Sequence, residues 1–225
     1  MDTIRRLIIK DLLALKSYKR LITIVFSLAV IFTFLGFFDK EMAMVTYTGL
    51  ALPISVLGGL ANTILYEEEK ANSDSFILTF PVNRKDIVLG KYLFNITLLL
   101  IGIVFVIILG TICKLLLPLN VGTTFLIAAS FTCATNLLFV LKTPFTYKYG
   151  TEKANNIFMV ILFAILSIVP VILLSIKSVD PGFKITVEIL SNFIPYLPLI
   201  ITLSMILINI ISFNISYKIY LKKEF

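Results

Sequence analysis

The sequence contains no histidine and no tryptophan, and only two cysteines among its 225 residues. Without histidine there is no imidazole base, no histidine metal ligand and no Ser-His-Asp or Cys-His relay. Cys113 and Cys133 both lie in apolar stretches, which argues against a disulfide framework. Charge is scarce too: 15% of the residues are charged and 59% are hydrophobic. A soluble domain carries about 25% charged and about 45–50% apolar residues. A chain this apolar exceeds what one globular core can hide and belongs in a membrane. The net charge of +7 is not gathered into a basic patch with stacking aromatics. It reads as membrane-surface charge rather than as a nucleic-acid footprint.

Two further absences narrow the chemistry. No GxxxxGK[ST] phosphate loop is present: Gly90-Lys91 is followed by Tyr92, with no earlier glycine at the required spacing. Energy-driven work would therefore draw on another subunit. The long apolar runs also hold no ionisable side chain in their interiors, and Lys114 lies near a run's end, where it can snorkel. A charge at the bilayer centre costs at least about 2.5–3.5 kcal/mol, so proton relays keep such residues for a purpose. Their absence argues against a proton-driven antiporter. A membrane protease using paired glutamates is disfavoured as well, because such an enzyme also needs histidines.

What is present is a series of apolar runs. A bilayer core about 30 Å thick needs about 20 residues of helix. The runs Leu21–Phe38, Met42–Leu65, Tyr92–Leu117, Val121–Leu141, Ile157–Ile176 and Phe193–Tyr217 qualify, which predicts six spans. Ahead of them, residues 1–20 are basic and amphipathic, with Ile4, Leu7, Ile8, Leu12 and Leu15 at helical spacing. This segment is expected to lie as a helix on the membrane surface. No cleavable signal peptide is expected, since the first long apolar run starts only at Leu21. With both termini in the cytoplasm, 16 of the 20 lysines and arginines fall on the inner side. That bias fixes the expected orientation. The outer connections Asp39–Glu41, Pro118–Asn120 and Lys177–Asn192 leave no room for an extracellular domain. Pro53, Gly58, Gly59, Pro170, Pro195 and Pro198 mark kinks or hinges, and Thr46, Thr48, Ser55 and Asn62 suit close helix packing.

The longest polar interruption is Tyr66–Lys91. Its acids are Glu67, Glu68, Glu69, Asp74 and Asp86, and its bases are Lys70, Arg84, Lys85 and Lys91. Its middle turns apolar again at Phe76, Ile77, Leu78 and Phe80. The pattern predicts a short helix at about residues 72–80, ended by Pro81, between the second and third spans. Asp86 then opens the helix that feeds the third span, where an acid favours the helix dipole. A second inner segment covers residues 142–156. Asp11 interrupts the amphipathic stripe and has no base three or four positions away. It is either a solvated surface carboxylate or the partner of another inner element such as Arg84 or Lys85.

Three stretches carry a family resemblance: IIKDLLALKS at Ile8–Ser17, EEEKANSDSFILTFPVNRKDIVLGKY at Glu67–Tyr92, and PFTYKYGTEKA at Pro144–Ala154. They resemble the permease subunits of type-2 ABC transporters, in particular the small bacterial six-span permeases without a fused ATPase. The resemblance covers the whole chain, and the middle stretch is its specific part. It implies an all-α integral membrane protein with six transmembrane helices, an N-terminal interfacial amphipathic helix and a short cytoplasmic coupling helix. Residues 1–225 would form one permease domain in a bacterial plasma membrane. The implied coupling residues are Glu67, Glu68, Glu69, Asp74, Phe76, Ile77, Leu78, Phe80, Pro81, Arg84, Lys85 and Asp86. They would dock in a groove of a separate ABC ATPase, with the apolar members as anchors and the charged ones as a rim. Asp11, Tyr147, Lys148, Glu152 and Lys153 would add a secondary contact. This chain would bind no cofactor, ATP and magnesium being held by the ATPase.

The resemblance further implies a second permease chain, either an identical copy or a paralogue, membrane lipid around the pair, and no nucleic acid. Export of amphipathic peptides or hydrophobic antibiotics is the expected activity. The alternatives are a non-transporting immunity or sensor subunit and a passive channel or carrier.

Overall fold

A computed structural model describes residues 2–35, 43–116, 121–161 and 197–223. Among these residues the regular structure is helical, with no strand. Helix α1 (Asp2–Ala14) passes through a 3-10 turn (Leu15–Tyr18) into α2 (Lys19–Leu35). Then come α3 (Ala43–Lys70), the five-residue α4 (Ser73–Ile77), α5 (Arg84–Leu116) and α6 (Val121–Tyr149). The described part of α7 covers residues 151–161, and α8 is Leu197–Leu221.

Four described stretches are long and apolar enough to cross a membrane: Thr3–Leu35, Thr48–Lys70, Arg84–Ile112 and Leu203–Leu221. They overlap the expected first, second, third and sixth runs. The expected fourth run lies in α6, and most of the fifth lies outside the described residues. So do the three outer connections, Pro170 and Pro195.

Helix α3 is central and packs on α2, α5 and α6, while α8 packs on α5 and α6. The larger core cluster includes Leu57, Ile64, Val88, Tyr92, Phe94, Phe139, Tyr147 and Tyr220. A second cluster, built on Leu50, Ile54, Leu99 and Val106, continues the packing along the bundle. The outward faces are apolar as well. Leu21, Ile24, Leu28, Ile31 and Leu35 of α2 are exposed, as are Leu203, Ile206, Leu207, Ile210 and Ile211 of α8. Stripes of this size at helical spacing suit contact with lipid rather than water.

Several polar groups in the apolar layer are satisfied by nearby partners. Thr33 and Thr143 each donate to the carbonyl four residues back, Ala29 and Phe139, at 2.6 Å. The Ser212 hydroxyl donates to the Val140 carbonyl at 2.6 Å, so it accepts from the Tyr92 hydroxyl, also at 2.6 Å. Tyr92 in turn accepts from Ser216 at 2.9 Å. This chain of donors joins α5, α6 and α8. The Asn95 amide donates to the Asn136 carbonyl oxygen at 3.1 Å and ties α5 to α6 a turn further in. Such bonds hold membrane helices together where the hydrophobic effect gives no preference between helix and lipid.

Helix α3 runs unbroken through Pro53, Gly58 and Gly59. Two of its glycines serve packing. A Cβ on Gly49 would lie 2.9 Å from Phe32 Cβ and from the Thr33 backbone nitrogen, and one on Gly58 would lie 2.9 Å from Thr135 Cβ. Gly59, by contrast, faces open space. Replacement Gly49→Ala is therefore expected to push α2 off α3 and cost about 1–3 kcal/mol. Gly59→Ala should be tolerated. Thermal melting of the two variants in detergent checks this, and equal melting points would contradict the close approach at Gly49.

Candidate functional site

The charged residues singled out in the sequence gather at one end of the bundle, where α3 ends and α5 begins. Helix α3 stops at Lys70. The Ala71 and Asn72 amides bond back to the Glu67 and Glu69 carbonyls at 2.9 and 3.0 Å, and Asn72 takes a left-handed φ of 48°. Asparagine tolerates that conformation better than most residues, so it ends the helix cleanly. Helix α4 follows at once. It closes at Ile77, before residue 80, and turns at Thr79, Phe80 and Val82 carry the chain to α5. Pro81 lies beyond the helix and does not terminate it. Helix α5 opens at Arg84, with the Asn83 carbonyl accepting from the Asp86 amide at 2.9 Å and Asp86 in the first turn.

The three consecutive glutamates at the end of α3 reach three different elements. Successive helical residues point about 100° apart, so a run of three fans out. Glu67 accepts from the Tyr18 hydroxyl at the α1–α2 junction. Partial burial and that carboxylate push the Tyr18 phenol up to about 12, so it stays a donor. Glu69 accepts from the Thr151 backbone N–H at 2.6 Å, at the start of α7. The turn into α7 is Gly150, with φ +84°. A Cβ there would lie 2.6 Å from the Glu69 carboxylate, so the turn favours glycine for its angle, and a side chain would also displace that carboxylate.

Glu68 points inward and meets Lys10 of α1 and Lys91 of α5. Lys91 also holds both oxygens of Asp11, at 2.9 and 2.8 Å. Lys10 lies 3.2 Å from the same carboxylate, which closes a ring of two cations and two anions. The Lys91 and Asp11 side chains are 6% and 1% exposed, whereas Lys10 is 40% exposed, so the ring runs from a dry side to a wet one. Asp11 is therefore not a solvated surface carboxylate. Its partner is Lys91, not Arg84 or Lys85. The amphipathic stripe is interrupted there because the interruption is the contact.

Burial pushes the Asp11 carboxyl above its usual range, and Lys91 only partly offsets this. Burial acts against the Glu68 charge too, but Lys91 and Lys10 outweigh it and hold Glu68 below the usual carboxylate range. Glu68 thus adds stability above the ordinary glutamate value and loses it as pH falls through its folded value. Asp11 has the opposite sign: its folded form favours the proton, and its contribution falls as pH rises through its folded value.

The remaining predicted residues divide by exposure. Arg84 is spent on its own chain: its Nη1 donates to the carbonyls of Tyr220, Leu221 and Lys223 at 3.3, 2.9 and 3.2 Å. There it neutralises the C-terminal end of α8. Ile77 is buried in the core and Leu78 packs against it, so neither is an outward anchor. Phe76 and Phe80 are 65% and 52% exposed and meet edge to face, with ring centroids 5.3 Å apart. Lys85 and Pro81 are exposed, Asp86 is half-buried, and Asp74 lies within α4. Residues 142–156 are helical except at Gly150, not an open loop. Tyr147 is buried against Tyr220 at 5.1 Å, whereas Lys148, Glu152 and Lys153 are exposed. The Tyr66 hydroxyl points at Glu152 from 3.5 Å.

The sequence reading missed Lys10, Tyr18, Lys91 and Thr151 as partners. A signal existed for Lys91, a lone base flanked by the apolar Ile87, Val88 and Tyr92, as Asp11 is a lone acid in an apolar stripe. Among the described residues no cluster of side chains is able to hold a metal ion. The ring neutralises itself, so it joins helices and leaves no charge over for chemistry.

The two carboxylates of the ring should respond unequally to neutralisation. Asp11→Asn removes a charge that burial disfavours, while Glu68→Gln removes one that Lys91 and Lys10 hold ionised against burial. The second should lower the melting point more than the first. Lys91→Met, which leaves two facing carboxylates, should cost about 3–5 kcal/mol. Melting curves of the three variants in detergent near neutral pH provide the check, and an Asp11→Asn loss as large as that of Glu68→Gln would refute the ordering.

A family model described as ABC-2 family transporter protein matches residues 6–221. No curated protein matches the sequence.

Proposed function

The chain belongs to the ABC-2 transporter family as a type-2 permease, a multi-pass membrane component, and from that premise we propose that it couples to a separate ATPase through the α4 tip. The observation that carries this reading is the Phe76–Phe80 pair. Two large aromatic side chains stand exposed, side by side, on a short helix and the turn that follows it, at the charged end of the bundle. Solvent gives them no favourable partner, and an apolar groove does. Ile77 anchors the same helix in the core, so the pair is held rather than loosely presented. Lys85 and Asp86 stand nearby as a polar rim, with Glu67–Glu69 and Arg84 bracing the tip from behind.

The bracing supplies a route for force. A push on α4 acts on the end of α3 and the start of α5. Glu67 passes it to the α1–α2 junction, Glu68 to α1 and α5, Glu69 to α7 and Arg84 to α8. The charged end then lies in the cytoplasm, with both termini there, as the bias of lysine and arginine requires. The host membrane is a bacterial plasma membrane. A second permease chain completes the pathway, and the cargo is an amphipathic peptide or a hydrophobic antibiotic moved outward. ATP and magnesium are held by the ATPase.

The test is co-purification with a candidate stand-alone ABC ATPase, together with permease-stimulated ATP hydrolysis. Replacing Phe76 and Phe80 by alanine should leave melting of the isolated permease nearly unchanged. It should weaken ATPase binding by about 2 kcal/mol or more, roughly thirtyfold. Full binding and stimulation by the double variant would refute the docking assignment.

A further inference from the structure

A second feature at the charged end takes no part in the docking reading. A cavity of about 580 Å³ opens between α3, α6 and α7. Its walls include Gly59, Asn62 and Tyr66 of α3, Lys142 of α6, and Asn155 and Asn156 of α7. Nothing fills it from α3, where a Cβ on Gly59 would meet no atom within 4 Å.

Lys142 is the unusual member. The other half-buried or buried cations of this end are matched: Lys10 and Lys91 by carboxylates, Arg84 by three helix-end carbonyls. Lys142 donates to the neutral Asn155 amide oxygen at 2.8 Å, and among the described residues no carboxylate forms an ion pair with it. Burial lowers its pKa, with no opposing charge to restore it. Glu152 also lines the cavity, but it faces the Tyr66 hydroxyl on the α3 side. An ammonium has three donors, so Lys142 keeps two to offer. Asn62 and Asn156, whose side-chain amides can donate, line the same cavity.

Position adds the rest of the ligand. Lys142 directly follows the apolar run Val121–Leu141, at the level where a membrane's apolar layer gives way to headgroups. Ile157, Met159, Val160 and Ile161 on α7 are exposed and apolar, just beyond Asn155 and Asn156. A charged end and an apolar flank together fit an amphiphile.

We propose that this cavity binds the oxyanion head of an amphiphile, a phosphate or carboxylate held by Lys142 with amide support from the asparagines. The site stands independently of ATPase docking, and its test needs no ATPase.

The test is native mass spectrometry of the purified permease with added phosphatidylglycerol, with phosphatidylcholine as the zwitterionic comparison. A parallel arm measures thermal protection by inorganic phosphate alone. Wild type should retain phosphatidylglycerol over phosphatidylcholine. Lys142→Gln should lower that retention about tenfold, the loss of one charge-assisted contact. Lys142→Arg should keep it, and so should Lys148→Gln, which removes an exposed lysine outside the cavity. A Lys142-dependent gain from phosphate alone would identify a free anion as a sufficient ligand, and dependence on the lipid alone would identify the amphiphile's head. Equal retention by wild type and Lys142→Gln, with no Lys142-dependent phosphate effect, would overturn the proposal. Because Lys142→Arg and Lys148→Gln both keep a cation at position 142, loss of binding in them too would mean that the site is not built on Lys142.

Discussion

Burying an ammonium beside a membrane leaves few workable arrangements. Lys91 is nearly inaccessible, and an unpaired charge in that position would cost more than the surrounding packing could return. It is met on one side by Asp11 and on the other by Glu68. Those carboxylates sit on α1 and α3, so the requirement to neutralise one side chain of α5 fixes three helices at a single point. The amphipathic α1 is thereby held by more than its apolar face. Leu7 rests against Gly90, where a Cβ would be 3.4 Å away, and Asp11 is locked one turn further on. The remaining contacts of this end, from Tyr18 to Thr151, are arranged around that point.

The fold's helices were largely legible in the sequence because apolar length and the bilayer's demand for internal hydrogen bonds leave a chain little other choice. The short helix before Pro81 was legible too, from four apolar residues inside a charged stretch. Its limits were not. The pattern Phe76–Ile77–Leu78–Phe80 does not say which side chains face the core, and the division emerges only when α3 and α5 pack: Ile77 goes in, and the phenylalanines stay out. The glutamates were legible as a group and illegible as individuals. Their partners come from positions 10, 18, 91 and 151, and no local spacing links them. Arg84 resembled a rim charge for the same reason, since its three carbonyl partners lie more than 130 positions away.

Away from the charged end the chain uses a different means of attachment. Tyr92, Ser212 and Ser216 hold α5 to α8 with neutral hydroxyls, and Asn95 and Asn136 hold α5 to α6 with amides. None carries a formal charge, so none brings the desolvation cost that the ring must offset. The change from ions at the end to neutral hydrogen bonds further in follows the fall in local polarity. It lets helices be joined at both depths, α5 taking part at each, without an unmatched charge in the apolar layer.

The joint at Gly150 has a consequence for how this chain is free to vary. The Glu69 carboxylate occupies the space that a side chain at 150 would need, and the same carboxylate is what the Thr151 amide requires. A side chain at position 150 would be strained by its backbone angle and would have to displace the Glu69 carboxylate, and a shorter residue at 69 would open the space while abandoning the amide. The two positions, 81 apart along the chain, are thus physically coupled. A substitution at either alone disturbs the joint, and a change at both together would have to find a new way to begin α7.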